Sequence, residues 1–231
     1  MRSSFGKTAA LKLSIIFVFT GIGVAVSFLT GSNLVLASAS GPAPSHTDAP
    51  GESNCTACHV DFPVNSGTGS IKIAGVPRIY YPGQQLSITV TTSQEDGVVY
   101  GFQLTAVDSA GRPAGTWTLN DTVQTQLVEG FVGLDLRQYV EHTFAGIVPT
   151  AFGSKSWTAT WTAPPQPIGR VSFHAAGNAA NGNGETSGDF IYTTARASVG
   201  GSKASDITGE AGVYGSLNEE LYFADSRSSS R

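Results

Sequence analysis

The sequence predicts an all-β protein built as a sandwich of two packed sheets, and three observations support this prediction. Short runs of alternating apolar and polar residues recur from about residue 67 to residue 199, and a period of two is typical of half-buried strands. Turn-forming pairs that contain Gly, Pro, Asn or Asp separate these runs. Helical periodicity is weak throughout. Many short strands at such spacing fit two antiparallel sheets packed face to face.

The strands can be predicted one by one from this alternation. They cover, in chain order, residues 70–73, 78–81, 86–90, 102–106, 116–119, 126–131, 157–161, 171–175 and 190–196. The segment 135–142 has mixed periodicity, and both a strand and a single helical turn stay open there.

Residues 1–39 are predicted to be a signal peptide that directs export. They begin with three basic side chains among the first twelve residues, continue with an uncharged apolar run at 13–29, and end with the small-x-small pattern of a cleavage site. The apolar run approaches the length of a membrane span, so an uncleaved N-terminal anchor stays open as an alternative. No second run of that length follows, and we expect no membrane span in the mature chain.

The rest of the chain divides into three parts by composition. Residues 40–66 contain closely spaced Pro and Gly and are predicted to form an extended leader. Residues 67–199 carry the strand pattern and form the sandwich. Residues 200–231 are rich in Gly, Ser and acidic side chains, and we expect a disordered tail there.

The leader carries the sequence Cys-Thr-Ala-Cys-His at residues 55–59. The pattern C-x-x-C-H is the attachment signature of a c-type haem. Cys55 and Cys58 would bind the two porphyrin vinyl groups of one haem c covalently, and His59 would be the proximal iron ligand. These are the only two cysteines of the chain. Because the c-type linkage is made outside the cytoplasm, the predicted signal peptide supports the haem hypothesis.

Three other interpretations of the cysteines were considered and stay open. A redox-active pair usually begins a helix within a β-α-β unit, whereas loop residues flank this pair. A structural zinc site needs four ligands, and the remaining histidines are scattered along the chain. A disulfide between Cys55 and Cys58 would close a very short loop and would constrain the unfolded chain little. Haem attachment is the interpretation that we favour.

The sixth iron ligand decides between electron transfer and ligand chemistry. Methionine is excluded in the mature chain because Met1 is the only methionine. His142 is the first candidate, and a histidine tied into a sandwich edge by hydrogen bonds is its alternative role. His46 could fold back from the leader. His174 lies opposite the apolar positions of its strand and is expected to face solvent. An open sixth position is the remaining alternative.

Two further features bear on ligands and partners. A polar glycine-rich segment could offer oxygen ligands to Ca²⁺, but it lacks alternating carboxylates, and we expect a surface turn instead; its side chains are Asn178, Asn181, Asn183, Glu185 and Asp189. The whole chain has a net charge of −4, and without residues 1–39 it retains 10 basic against 17 acidic residues. This negative balance argues against nucleic acid and anionic membranes as partners.

The chain resembles a bacterial family over about residues 41–196. The segments that carry the resemblance are 49–59, 67–71, 81–83, 139–143, 161–164 and 177–182. They are similar to the Reeler-like exported proteins known as choice-of-anchor V domain proteins. The resemblance implies a Reeler-type, immunoglobulin-like β-sandwich outside the cytoplasm, with the CxxCH motif at its N-terminal edge. Members often carry a C-terminal surface anchor, which residues 200–231 do not show, so a secreted, periplasmic or cell-surface location stays open.

Together these features predict an exported c-type cytochrome module with a single haem, fused to a β-sandwich. We expect one-electron transfer with a redox protein partner or within a surface assembly, at a low potential if two histidines bind the iron. The main alternative is a surface adhesion or structural module in which CxxCH only pins the leader. A third is an enzyme whose open haem site handles peroxide or a small gas. No hydrolytic constellation is visible, so we expect a carrier or surface module rather than an enzyme.

Overall fold

The structure, a computed structural model, describes residues 38–202 as a sandwich of two β-sheets. The strands within this range are β1 (Ser70–Ala74), β2 (Ile79–Tyr80), β3 (Gln85–Ser93), β4 (Val99–Asp108), β5 (Thr116–Leu119), β6 (Thr125–Val132), β7 (Asp135–His142), β8 (Ser154–Thr162), β9 (Arg170–Ala180) and β10 (Phe190–Gly200). The smaller sheet has the order β1-β3-β8-β5, and the larger sheet has the order β2-β10-β9-β4-β7-β6. The prediction of an all-β sandwich preceded by a leader is confirmed.

Each predicted strand segment coincides with an observed strand. Most observed strands are longer than predicted, whereas β2 is only two residues long and pairs in parallel with β10. The segment left open, 135–142, is strand β7. Its mixed periodicity has a physical reason, because both of its faces are largely covered, so polar residues on its outer face are buried as well.

Aromatic side chains from both sheets fill the core. Phe102 on β4 stacks on Trp157 on β8 with ring centroids 4.4 Å apart. Trp161 meets Phe173 on β9 edge to face at 4.9 Å. Both buried indole N–H groups have partners, since Trp157 donates to a main-chain carbonyl of the 144–147 turn and Trp161 donates to the carbonyl of Ala114. These rings hold the two sheets in register at their centre.

The outer face of the larger sheet is covered by the leader. Strand β4 is buried at every position after its first residue, so it is enclosed on both faces. Gln103, which points outward from β4, accepts a hydrogen bond from the main-chain N–H of His46 and donates one to the carbonyl of Ala43. Polar side chains on this face therefore bind the main chain of the leader instead of water.

A buried ion pair fixes the middle of the leader to β7. Arg137 donates to Oε1 of Glu52, and both side chains are almost fully enclosed. Tyr139 donates to the same oxygen at 2.8 Å, and Thr47 donates to Oε2 through its main-chain N–H and its hydroxyl. Arg137 also donates to the carbonyl of Pro50. The carboxylate thus has partners on both oxygens, as a buried charge requires.

A second buried group holds the start of the leader. Glu141 on β7 accepts hydrogen bonds from Gln103 and from Gln126 on β6, each at 2.8 Å. Gln126 also donates to the carbonyl of Ser40. His174, which was expected to face solvent, lies half-buried on this covered face, and burial lowers its pKa. That expectation was wrong because the leader shields the outer face of the sheet.

The predicted signal peptide and tail lie outside the described residues, apart from residues 38, 39 and 200–202. Between residues 38 and 202, no helix has the length and apolar character needed to cross a bilayer.

Replacing Glu52 with Ala is expected to lower the free energy of unfolding by about 3–5 kcal/mol, because Arg137 would stay buried without its counter-charge. Urea denaturation followed by tryptophan fluorescence measures this loss. Glu95→Ala is the matched control, since Glu95 is exposed, and it should change stability by less than about 0.5 kcal/mol. Equal stabilities of the two variants would contradict the assigned role of the ion pair.

Replacing Glu141 with Gln is expected to change how stability depends on pH. Burial raises the pKa of Glu141 from 4.5 to about 7, although two glutamines donate hydrogen bonds to its carboxylate. The folded protein therefore binds more protons than the unfolded chain in this pH window, so the contribution of Glu141 to stability falls as the pH rises through it. The wild type should lose up to about 3 kcal/mol relative to the Gln variant.

Urea titrations of both proteins at pH 5 and pH 8 test this expectation. Burial lowers the pKa of His142 and of His174, which makes stability rise with pH in part of the same window. Both proteins contain these histidines, so the difference between the two proteins isolates Glu141. A difference that does not vary with pH would show that the carboxyl group is not perturbed.

Candidate functional site

A cavity of about 470 Å³ lies between the leader and the outer face of the larger sheet. Its volume lies within the range of about 300–1,000 Å³ that is typical of small-molecule and cofactor sites. The lining is mostly apolar, and the chemically distinctive residues along it are Cys55, Cys58, His59, His46, His142, Asn178 and Asp189. The structure therefore brings together, at one cavity, all the residues that the sequence predicted for the haem site.

The motif is held in place by a short capped turn. Residues Cys55–Ala57 form one 3-10 turn, and the Asn54 side chain accepts hydrogen bonds from the N–H and the hydroxyl of Thr56. The Asn54 amide also donates to Asp48, and a β-bridge pairs Asn54 with Thr47. These contacts tie the turn to the anchored part of the leader and so direct the motif toward the cavity.

The two cysteines are free thiols. Cys55 is partly exposed when the whole residue is considered. Its thiol is buried, however, and this burial raises the pKa of the thiol to about 12. A redox-active CxxC pair needs the opposite shift, toward a stable thiolate. Within residues 38–202, no three His, Cys, Asp or Glu side chains converge as ligands of a metal ion. A haem iron needs only one or two protein ligands, because the porphyrin supplies four nitrogens.

His59 is held by a carboxylate from the far end of the chain. Its Nδ1 lies 2.8 Å from Oδ2 of Asp189, which immediately precedes β10. The Asn178 amide nitrogen lies 3.4 Å from both ring nitrogens of His59. A carboxylate can only accept, so Nδ1 carries a proton, and in the neutral ring the Nε2 lone pair has only the Asn178 amide nitrogen, 3.4 Å away, near it.

His142 ends β7 and occupies a gap in the sheet. The β4–β7 ladder contains the pairs Gln103–Glu141 and Leu104–Val140, and the next pair would join Phe102 and His142. There, Nδ1 of His142 lies 3.1 Å from the nitrogen and 3.2 Å from the oxygen of Phe102. Burial lowers the pKa of the ring and keeps it neutral. His142 is thus tied into the sheet edge and also lines the cavity, and the main chain of Ser38 is a further hydrogen-bond partner of its ring. These contacts show the hydrogen-bonded role. A ligand role requires that Nδ1–H donate to the Phe102 carbonyl and that Nε2 leave Ser38, so that the Nε2 lone pair is open to a ligand.

Gly101 and Asn178 place the two histidines side by side. These residues are directly paired between β4 and β9. The His142 ring packs against Gly101, where an added Cβ would lie only 2.7 Å from its Cε1 atom, and His59 packs against Asn178. Directly paired positions have Cβ atoms about 4.5–5.5 Å apart. The His142 ring from β7 and the His59 ring from the leader therefore lie over neighbouring positions of the sheet, at one cavity.

His46 is the third histidine along the cavity. Its Nδ1 lies 3.0 Å from the carbonyl oxygens of Ala43 and Pro44. Donation from Nδ1 to these carbonyls leaves Nε2 free in His46 as well. The leader thus contributes a second candidate for the sixth ligand beside His142.

The segment expected to be a surface turn forms one wall of the cavity. The amide oxygens of Asn181 and Asn183 bind the main chain of the segment, since Asn181 accepts from the N–H of Asn183 and Asn183 accepts from that of Glu185. Asp189 accepts from the N–H of Asn181 through Oδ1. These oxygens are therefore engaged inside the loop, and the arrangement gives no support to the calcium alternative.

Sequence reasoning missed the partners of His59. Asp189 was considered only as an oxygen ligand in a loop, and it lies 130 positions after His59. No local spacing connects two such residues. The one signal in the sequence was the position of Asp189 directly before an apolar strand, because a covering segment can bury an Asp at such a position.

Comparison with known proteins gives likenesses of fold. No protein-family model and no curated protein matches the chain. The reeler domain of human F-spondin is similar over 60% of this chain and 93% of that domain, at 18% identity and a TM-score of 0.42. A second structure, the Reelin-N domain of F-spondin, covers 61% and 92% at 20% identity and a TM-score of 0.37. A cohesin module from Clostridium perfringens covers 60% and 100% at 11% identity and a TM-score of 0.42.

Replacing Gly101 with Ala is expected to displace the His142 ring, because the new methyl group would lie too close to it. The free energy of unfolding should fall by about 1–3 kcal/mol. Urea denaturation measures the change, and the same substitution in a His142→Ala background is the control. There the cost should largely vanish. An equal loss of unfolding free energy in both backgrounds would mean that the new methyl group clashes with a group other than His142.

Proposed function

We propose that this protein is an exported c-type cytochrome module with a single haem, which exchanges one electron at a time with a redox protein partner. One observation carries the proposal. Cys55, Cys58, His59 and His142 line the same cavity, although His142 lies far from the motif in sequence. If the CxxCH motif served only to hold the leader against the sheet, it would require neither a second histidine nor an apolar cavity of cofactor size beside the motif.

The residues present fit a haem in three respects. The cavity has a cofactor-sized volume and a mostly apolar lining, which suits a porphyrin face. His59 has Nδ1 engaged by the Asp189 carboxylate, as metal-ligating histidines usually have one ring nitrogen engaged, and its Nε2 has only the Asn178 amide nitrogen, 3.4 Å away, near it. Within the described residues, the buried Oδ1 of Asn178 has no hydrogen-bond partner, which is the state expected of an atom whose partner is a bound group or water.

A haem attached at this site would supply a one-electron iron couple. The chain's own residues then have separate tasks. Cys55 and Cys58 hold the group by thioether bonds, so it cannot be lost by dilution outside the cytoplasm. His59 and His142 offer neutral nitrogen ligands, a pair that favours a low potential because neither is a methionine. The leader and the sheet would form the walls around the group.

The first test is a visible spectrum of the protein from a host with haem-attachment machinery. We expect a Soret band that stays with the polypeptide after denaturation and acid-acetone extraction, because thioether bonds survive both treatments. The double variant Cys55→Ala, Cys58→Ala should lose the retained band. A colourless wild-type protein made beside an authentic c-type cytochrome control would refute the proposal.

The sixth ligand can be identified by matched histidine variants. We expect His142→Ala to convert a low-spin ferric spectrum to a high-spin one, because the iron would lose its second imidazole. His46→Ala should leave the spectrum unchanged. Absorption and electron paramagnetic resonance spectra measure both. The reverse result would assign the ligand to His46, and a high-spin wild type that binds cyanide would show an open site and favour the enzyme alternative.

A second candidate function is a surface adhesion or structural module. The observation in its favour is the apolar tip of the β6–β7 hairpin, where Phe131 is 71% exposed and Leu134 is 97% exposed. Such side chains are typical of contacts with another protein. A colourless protein with the sandwich intact would leave this candidate as the better description.

A further inference from the structure

We propose that Asp189 is a positioning residue for His59, which turns the imidazole into an electron-rich iron ligand and lowers the reduction potential of the site. This inference rests on the proposed haem function. It assigns a role to a residue that lies outside the CxxCH motif and on a different part of the fold.

The geometry fixes Asp189 from two sides. The residue is 1% exposed and lies where the β9–β10 loop enters β10. Its Oδ1 accepts from the main-chain N–H of Asn181 at 3.1 Å, and its Oδ2 lies 2.8 Å from Nδ1 of His59. Each oxygen therefore has its own partner, and the orientation of the carboxylate toward the imidazole is set by the loop backbone.

The charge of Asp189 has no other counter-charge in the described part of the chain. Arg112 and Arg137 pair with Asp108 and Glu52, and among the basic side chains of the described residues only the His59 imidazole lies within 4.0 Å of the Asp189 carboxylate. A buried carboxylate is costly unless positive charge lies close to it. An iron on the opposite side of the His59 ring would supply that charge through the imidazole.

The chemical consequence follows from the direction of this hydrogen bond. Donation from Nδ1–H to a carboxylate fixes the tautomer and raises the basicity of Nε2. A more basic nitrogen donor and a nearby negative charge both stabilise ferric over ferrous iron. A main-chain carbonyl would fix the same tautomer without the full charge, so the carboxylate adds the shift in potential.

The experiment compares the haem-loaded full chain with two variants of equal charge change. Asp189→Asn keeps the shape but offers His59 only a neutral acceptor. Asp61→Asn is the control, because Asp61 is exposed and contacts the same loop through the N–H of Gly188. We expect both variants to retain covalent haem, Asp189→Asn to have a higher midpoint potential in redox titration, and Asp61→Asn to match the wild type. Equal potentials for the two variants would overturn the inference.

A second readout does not depend on haem. Nitrogen-15 NMR of the full chain made without haem attachment reports the His59 tautomer at alkaline pH. We expect the Nδ1–H tautomer in the wild type and a shift toward Nε2–H in Asp189→Asn. An Nε2–H tautomer in the wild type would overturn the inference. If the protein carries no covalent haem in any host, the proposed function fails, and this tautomer alone decides whether Asp189 positions His59.

Discussion

The packing of the leader on the outer face of the larger sheet is the constraint on which the other features depend. It is fixed by the buried pair of Glu52 and Arg137, to which Thr47, Tyr139 and the carbonyl of Pro50 add hydrogen bonds. Most sandwiches leave such a face to solvent on at least one sheet. Here the leader covers the outer face of the larger sheet and creates a second buried layer. The cavity lies where the leader and the sheet are not in direct contact.

The site draws its two histidines from different layers. His59 belongs to the covering leader, whereas His142 belongs to the sheet beneath it. Gly101 lets the second ring lie against the strand, and Asn178 supports the first. Small shifts of the leader would therefore change the separation of the two rings, so the clamp around Glu52 stabilises the site as well as the fold.

Much of the fold was predictable because burial on one face leaves a period of two in the sequence. Strands β3 and β8 alternate cleanly since one face of each meets the core and the other is polar. Strand β7 could not be assigned, because Arg137, Tyr139 and Glu141 are buried under the leader although their types suggest exposure. The solvent-facing position predicted for His174 was wrong for the same reason. A strand is recognised from its sequence on the assumption that its polar residues are exposed to solvent. That assumption fails for strands whose outer face is covered by the leader.

The site was predictable only in its local part. The CxxCH motif spans five consecutive residues, and His142 could be suggested because few histidines were available. The partners of His59 depend on contacts between distant positions, which only the folded topology defines. Local spacing carries no information about such contacts, and for that reason Asp189 was first considered as part of a turn.

The separation of His59 from Asp189 by 130 positions also orders events during synthesis. The motif leaves the ribosome long before the last strand exists, so the thiols of Cys55 and Cys58 are open to reagents in the growing chain. The segment 181–189, which contributes to the cavity lining beside them, is fixed at both ends only when β10 pairs with β9. Contacts of such high sequence separation form late in folding. Any covalent attachment at these cysteines would thus have freer access before β10 docks than after the sandwich is complete.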